Sequence, residues 1–99
     1  MHYVIYCEDV ENSLEKRRSV RPAHLSRLAD LEKQGRLLLA GPLLKDDNDN
    51  LAIAGVRGSL IVADFANIDE AKAWAAADPY ATAQVYARVV VTPFKKIAP

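Results

Sequence analysis

Three short segments, residues 37–40 (Leu-Leu-Leu-Ala), 60–63 (Leu-Ile-Val-Ala) and 89–91 (Val-Val-Val), are apolar at every consecutive position. A strand alternates its side chains between two faces, so a run with no polar residue puts apolar groups on both faces of a sheet. Both faces must then be covered. A chain of 99 residues carries one core, in one domain over residues 1–99, and this limits the covering it can supply by itself.

The covering elements follow from periodicity. Residues 2–7 are aromatic and β-branched and run into Glu8-Asp9, which reads as a first strand ending in a polar turn. From Val20 the pattern becomes helical: Val20, Leu28 and Leu31, with Leu25 at the margin, share one side, and Ser26, Arg27, Asp30, Lys33 and Gln34 the other. Pro22 is tolerated only in a first helical turn, so the regular helix is expected to begin at Val20 or Arg21, with residues 13–19 a separate turn. Gly35 suits its C-terminal cap.

Residues 36–44 predict a buried strand with a bend or bulge near Gly41-Pro42. Residues 45–55 predict a loop, and residues 59–65 a third strand. Asn67 followed by Glu70 has the form of a helix start, and the helix should stop near Asp78 because a residue before proline avoids helical geometry. A short helical turn over residues 79–84 leads into a last strand, residues 85–94. Its two faces, Val85, Ala87, Val89, Val91 and Tyr86, Arg88, Val90, Thr92, are both largely apolar.

The order strand, helix, strand, strand, helix, strand predicts an α+β, ferredoxin-like βαββαβ fold: a four-stranded antiparallel sheet with two helices on one face. Two helices cover only that face. A second copy packed sheet to sheet is the simplest cover for the other, and a homodimer is therefore expected.

Charge and composition exclude several functions. Thirteen basic residues balance thirteen acidic ones, leaving no global field to attract nucleic acid or an anionic membrane surface. No apolar run approaches the roughly 20 residues of a membrane span. The single cysteine, Cys7, excludes an intrachain disulfide and a cysteine zinc site, and with no basic or apolar leader in view the expected location is cytoplasmic. Asp46, Asn48 and Asn50 have the alternate spacing of a calcium loop, but Leu51 stands where glycine is required and Arg57 where a bidentate glutamate is required. No histidine pair or other ligand set has metal spacing, and Gly41, Gly55 and Gly58 form no phosphate cradle, so no metal and no cofactor is expected.

His24 and Asp78 are the residues with chemical interest. His24 lies inside the apolar stripe, between Val20 and Leu28, with Arg21 at the stripe's edge and Arg17 joining if the preceding turn continues the same helix. One end of the buried face is thus basic and titratable while the other is plain leucine, as at a pocket. The plainer readings are a core histidine satisfied by backbone groups and an aspartate acting as an N-cap before Pro79. Neither excludes function.

The run Leu14-Glu15-Lys16-Arg17-Arg18-Ser19-Val20-Arg21-Pro22-Ala23-His24-Leu25, the segment Gly35-Arg36-Leu37-Leu38-Leu39-Ala40-Gly41-Pro42, the pair Gly58-Ser59, the run Ala77-Asp78-Pro79-Tyr80 and the ending Pro93-Phe94-Lys95-Lys96 resemble the YciI-like protein family along almost the whole chain. The resemblance implies a ferredoxin-like domain that dimerises into an α/β barrel, similar in fold to muconolactone isomerase, with a histidine and an aspartate in a cleft. Those positions fall on His24 and Asp78. One type of member acts as a dehydrochlorinase on a chlorinated hydroxyhydroquinone.

On that resemblance, Asp78 would hold one imidazole nitrogen and His24 would act as general base or acid, a contribution of about 10² to 10⁴ in rate. Arg21 and Arg17 would bind a carboxylate or phenolate. Gly41 and Ser59 would offer donors to developing negative charge, and Tyr80 would line the same site. Two functions follow: a cofactor-independent lyase or isomerase acting on a small anionic, cyclic or aromatic metabolite, or a non-catalytic dimer that binds or senses a small anion.

Overall fold

In the computed structural model, which describes residues 1–99, strand β1 (His2–Asp9) buries Tyr3, Ile5 and Cys7, while the side chains between them stay half-covered. This period-2 burial makes β1 an inner strand. The sheet has four strands in the order β2-β3-β1-β4. They comprise β2 (Leu37–Leu44), β3 (Val56–Asp64) and β4 (Tyr86–Phe94), every neighbouring pair being antiparallel. Ile5 pairs with Ile61 on one side and with Val91 on the other.

Helices α1 (Leu14–Lys33) and α3 (Ile68–Ala76) pack on the face carrying Tyr3, Ile5, Ile61 and Ala63, where Leu31, Phe65, Ala71 and Ala75 complete the core. The expected α+β ferredoxin-like arrangement, with its helices on one side, is the fold observed. α3 begins at an Asn67 cap whose side chain accepts from the Glu70 amide at 2.8 Å, while Glu70 accepts in return from the Ala66 amide at 3.2 Å. A short α4 (Pro79–Thr82) follows.

The opposite face, which no helix of the chain covers, carries an apolar centre with His2, Glu8, Asp64 and Arg88 toward its ends. The register places Val4, Leu60, Val62, Val90 and Phe94 there together with Leu39, and Leu39 and Phe94 are 49% and 38% exposed. No helix of the chain is long and apolar enough to cross a membrane.

Four local expectations are corrected. Residues 13–19 are not a separate turn, since α1 runs unbroken from Leu14 with Pro22 inside it. Pro22 is exposed, so the one helical hydrogen bond it removes leaves an Arg18 carbonyl that water can serve. The continuous register buries Arg17, His24 and Leu31, each seven residues from the next, along one line. Gly35 does end the helix region, at φ +70°.

β2 is an edge strand and stays partly exposed within the chain, not a buried one. Its register shifts fall between Leu37 and Leu39 and between Leu43 and Leu44, whereas Gly41 and Pro42 stay paired with Leu60 and Ser59. An edge strand tolerates proline because the missing amide need not face a partner. The 45–55 segment contains a turn of helix, α2 (Leu51–Ala54), capped by the Asn50 side chain on the Ala52 amide at 3.0 Å. Finally, a register shift opposite Glu8 and Asp9 carries Tyr86 to the helix-covered face, against the core, and away from Arg88 and Val90.

Candidate active site

The site lies where α1 crosses the start of α4. Asp78 caps α4: its backbone is extended (φ −64°, ψ 137°) and Oδ1 accepts from the Tyr80 amide at 2.8 Å. The same carboxylate receives His24 Nδ1 at 2.8 Å on Oδ1 and 2.9 Å on Oδ2. Asp78 is therefore both the cap and the imidazole's partner. Only 1% of it is exposed.

A carboxylate accepts, so Nδ1 carries the hydrogen, and in the neutral ring Nε2 is the nitrogen with the lone pair. Nε2 has no hydrogen-bond partner in the chain, and Tyr86 supplies the only sealed side-chain polar atom without one, so Nε2 reaches the solvent of the adjoining cleft. Tyr80 stacks on the imidazole with ring centroids 4.0 Å apart at 16° and fixes its plane. Behind the pair, Arg27 reaches Asp78 Oδ2 at 3.4 Å while lying 4.2 Å over the Trp74 ring.

The cleft holds about 460 Å³ between α1, β2, β3 and the α2 segment. Arg17, Arg18, Arg21 and His24 line it together with apolar side chains, and no aspartate or glutamate does. Of its three arginines, Arg17 and Arg18 are paired with Asp9 and Glu15, which leaves Arg21 as the unpaired cation of the hollow. Gly41, Ser59 and Tyr80 line the same hollow. The structure thus brings together every residue the sequence singled out.

Arg17 is the most constrained of them. Nε and Nη2 grip the Asp9 carboxylate at 2.7 and 2.9 Å, and Nη2 also reaches the Gly58 carbonyl at 2.9 Å and Ser59 Oγ at 2.8 Å. Burial opposes its charge, but the hydrogen bond and charge of Asp9 outweigh this and raise Arg17 above its ordinary value. Gly58 is required here, because a Cβ would overlap the Cys7 carbonyl oxygen across the sheet. Arg21 is exposed and makes no ion pair, whereas Arg18 is paired with Glu15 at 2.9 Å.

Under the cleft floor, burial pushes the Cys7 thiol up to about 12. The Tyr86 phenol is pushed far above the ordinary tyrosine range, again chiefly by burial. Neither group is a nucleophile near neutrality.

Asp9 and Arg27 were not singled out from the sequence. The alternation Tyr3, Ile5, Cys7, Asp9 would have placed Asp9 on the covered face, where a lone carboxylate requires a cation. Arg27 lies three residues after His24 on the same helix, but its partner Asp78 is distant in sequence and no local pattern signals the contact.

A ferredoxin-like α+β domain with a buried histidine–aspartate pair opening on a basic cleft is the class of protein these features define. The chain belongs to the YCII-related domain family, whose model matches residues 1–95. It is 54% identical over 97 residues to protein YciI of Escherichia coli (98% of this chain, 99% of that one) and 52% identical over 97 residues to an uncharacterized protein of Haemophilus influenzae, with the same coverage. Among solved structures it is similar to the 5-chloro-2-hydroxyhydroquinone dehydrochlorinase TftG of Burkholderia phenoliruptrix in complex with 2,5-dihydroxybenzoquinone, at 26% identity and a TM-score of 0.85, covering 96% of this chain and 94% of that one.

Proposed function

We propose that the protein is a cofactor-independent lyase or isomerase that moves protons on a small anionic metabolite, with His24 as the acid–base group and Asp78 as its orienting partner. The observation that carries this reading is the asymmetric imidazole: Nδ1 is tied to a buried carboxylate and Nε2 is free beside an arginine-lined cleft. A histidine serving only as core filling would have both nitrogens satisfied.

The chemistry follows from that asymmetry. Nε2 accepts a proton from a carbon beside a carbonyl, including that of a phenol's keto form; the C–H electron pair becomes a C=C bond as the carbonyl π pair moves to the oxygen, which becomes negative. The proton then returns at another carbon in an isomerisation, or a leaving group departs with its bonding pair in an elimination. The imidazolium formed meanwhile is stabilised by Asp78. Arg21 and Arg17 offset the ligand's charge, and Gly41, Ser59 and Tyr80 shape the cleft around it. The dehydrochlorinase activity in the name of the TftG neighbour supports an elimination.

The bare sheet face supports a homodimer, since Leu39 and Phe94 are large, apolar and exposed on a face the helices do not reach. A second copy covering it closes the two sheets into one barrel.

The test offers the purified protein 5-chloro-2-hydroxyhydroquinone, measuring chloride release, and a panel of small enolisable carboxylates in deuterated water, measuring exchange by proton NMR. Turnover or exchange is expected for the wild type, with loss of at least 10²-fold in His24→Ala. Activity unchanged in both His24→Ala and Asp78→Asn would remove the pair from the chemistry, and an anion that binds without exchange or turnover identifies a sensing dimer instead.

A further inference from the structure

Arg17, Tyr80 and Arg21 differ in what they have left to offer a ligand. Arg17 spends Nε and Nη2 on Asp9, Gly58 and Ser59. Nη1 takes no part in these bonds, and the residue, 6% exposed, lines the cleft, so Nη1 has hydrogen left to offer a ligand there. Tyr80 is 3% exposed and lines the cleft, and its hydroxyl stands beside Arg17, whose charge and hydrogen bond partly offset the effect of burial and leave the hydroxyl's one hydrogen for a ligand. Burial holds its phenol above the ordinary tyrosine range, so the hydroxyl keeps its proton and is a donor.

We propose that the negative oxygen of the ligand is held at the cleft floor by Nη1 of Arg17 and the hydroxyl of Tyr80, while Arg21 at the rim only draws the anion in. Ser59 and Asp9 are positioning residues in this arrangement, locking the guanidinium so that one edge faces the ligand. This rests on the acid–base reading and sharpens its substrate class.

Geometry ties the two halves together. The Arg17 guanidinium carbon lies 4.7 Å from the Tyr80 ring centre and the His24 ring stacks 4.0 Å from it. The tyrosine therefore stands beside the base and carries the oxygen donor on its own edge. A ligand that fits has its proton-bearing carbon next to the carbonyl whose oxygen takes the charge: an enolisable carbonyl compound, or a hydroxylated ring in its keto form, with an apolar body against Leu25, Leu28 and Ile61. A ligand whose charge sits on a remote carboxylate would leave the buried donors unmet, at the cost of unpaired polar groups.

The experiment is calorimetric titration with 2,5-dihydroxybenzoquinone at low and high salt. Tyr80→Phe, which keeps the stacked ring, is expected to weaken binding about 10-fold or more at both salt concentrations, as for a lost hydrogen bond to a charged group. Arg21→Gln should cost less, and its effect should shrink as salt rises, as for an exposed charge. His24→Gln should retain binding within about 3-fold while losing turnover, so a failure of the base and a failure of the floor are separable. Arg17→Lys should weaken binding as well; if it does not fold, Tyr80→Phe decides. Wild-type affinity in Tyr80→Phe, loss confined to Arg21→Gln at every salt concentration, or no binding by the wild type at millimolar probe would each overturn the proposal.

Discussion

Replacing Asp78 by asparagine separates its two roles. The carboxylate accepts from the Tyr80 amide at 2.8 Å and from His24 Nδ1 at 2.8 and 2.9 Å, with Arg27 at 3.4 Å. Asparagine keeps the volume and one acceptor oxygen: the oxygen that caps Tyr80 is also the one 2.8 Å from His24 Nδ1, so it can serve both while the amide replaces the second, charged oxygen. The folded state exchanges a charge-assisted bond for a neutral one, a loss of about 1 to 2 kcal/mol. At about 4–8 °C per kcal/mol for a domain of this size, the Tm should fall by about 4–16 °C. Asp78→Ala loses the cap, about 1 kcal/mol, and leaves Nδ1 unpaired, about 1–3 kcal/mol more. Urea unfolding followed by the fluorescence of Trp74, at fixed protein concentration, reads both variants. Equal costs for asparagine and alanine, or none for either, would refute the shared role of this carboxylate.

Other expectations follow from the same contacts. Arg17→Met leaves the Asp9 carboxylate buried without its cation and should cost about 3–5 kcal/mol, with partial recovery in the double variant carrying Asp9→Asn, measured by denaturant titration. Cys7 has an ordinary value of 9.0 and a folded value of about 12; between those pH values the unfolded chain loses its proton while the folded one does not, so stability present below pH 9 declines as pH rises toward 12. Cys7→Ala should flatten that slope, and native Cys7 should resist thiol reagents until the protein unfolds. If the proposed homodimer forms through the sheet face, Phe94→Glu or Leu39→Glu should give a monomer in light scattering, and a dimer unaffected by either would move the interface off that face. Asn67→Ala should cost about 1 kcal/mol through the lost cap on α3.

Much of the fold was legible because its signals are local. Period-2 burial in β1, the Asn67–Glu70 start of α3 and the break at Asp78-Pro79 each depend on residues close in sequence. Pro22 misled because its cost in a helix is a single exposed carbonyl, less than the gain from carrying Arg17 into the same buried line as His24. The displacement of Tyr86 needed knowledge of a register shift against β1, which no pattern within β4 contains. In the site, the histidine's place on a buried stripe and the aspartate's place at a helix start were both readable, but their meeting at 2.8 Å is a property of how α1 lies over α4. Arg17 could be placed on the right face but not judged, since its partners Asp9, Gly58 and Ser59 come from two strands.

The central claim is that Asp78 holds the proton on Nδ1 of His24 and leaves Nε2 as the base. Nitrogen-15 NMR of the histidine side chains, recorded with the imidazole neutral, reads this directly. The account predicts a His24 ring protonated at Nδ1 with that proton slow to exchange, reverting to the Nε2–H form in Asp78→Ala. A wild-type ring protonated at Nε2, or one whose tautomer is indifferent to Asp78→Ala, would contradict it.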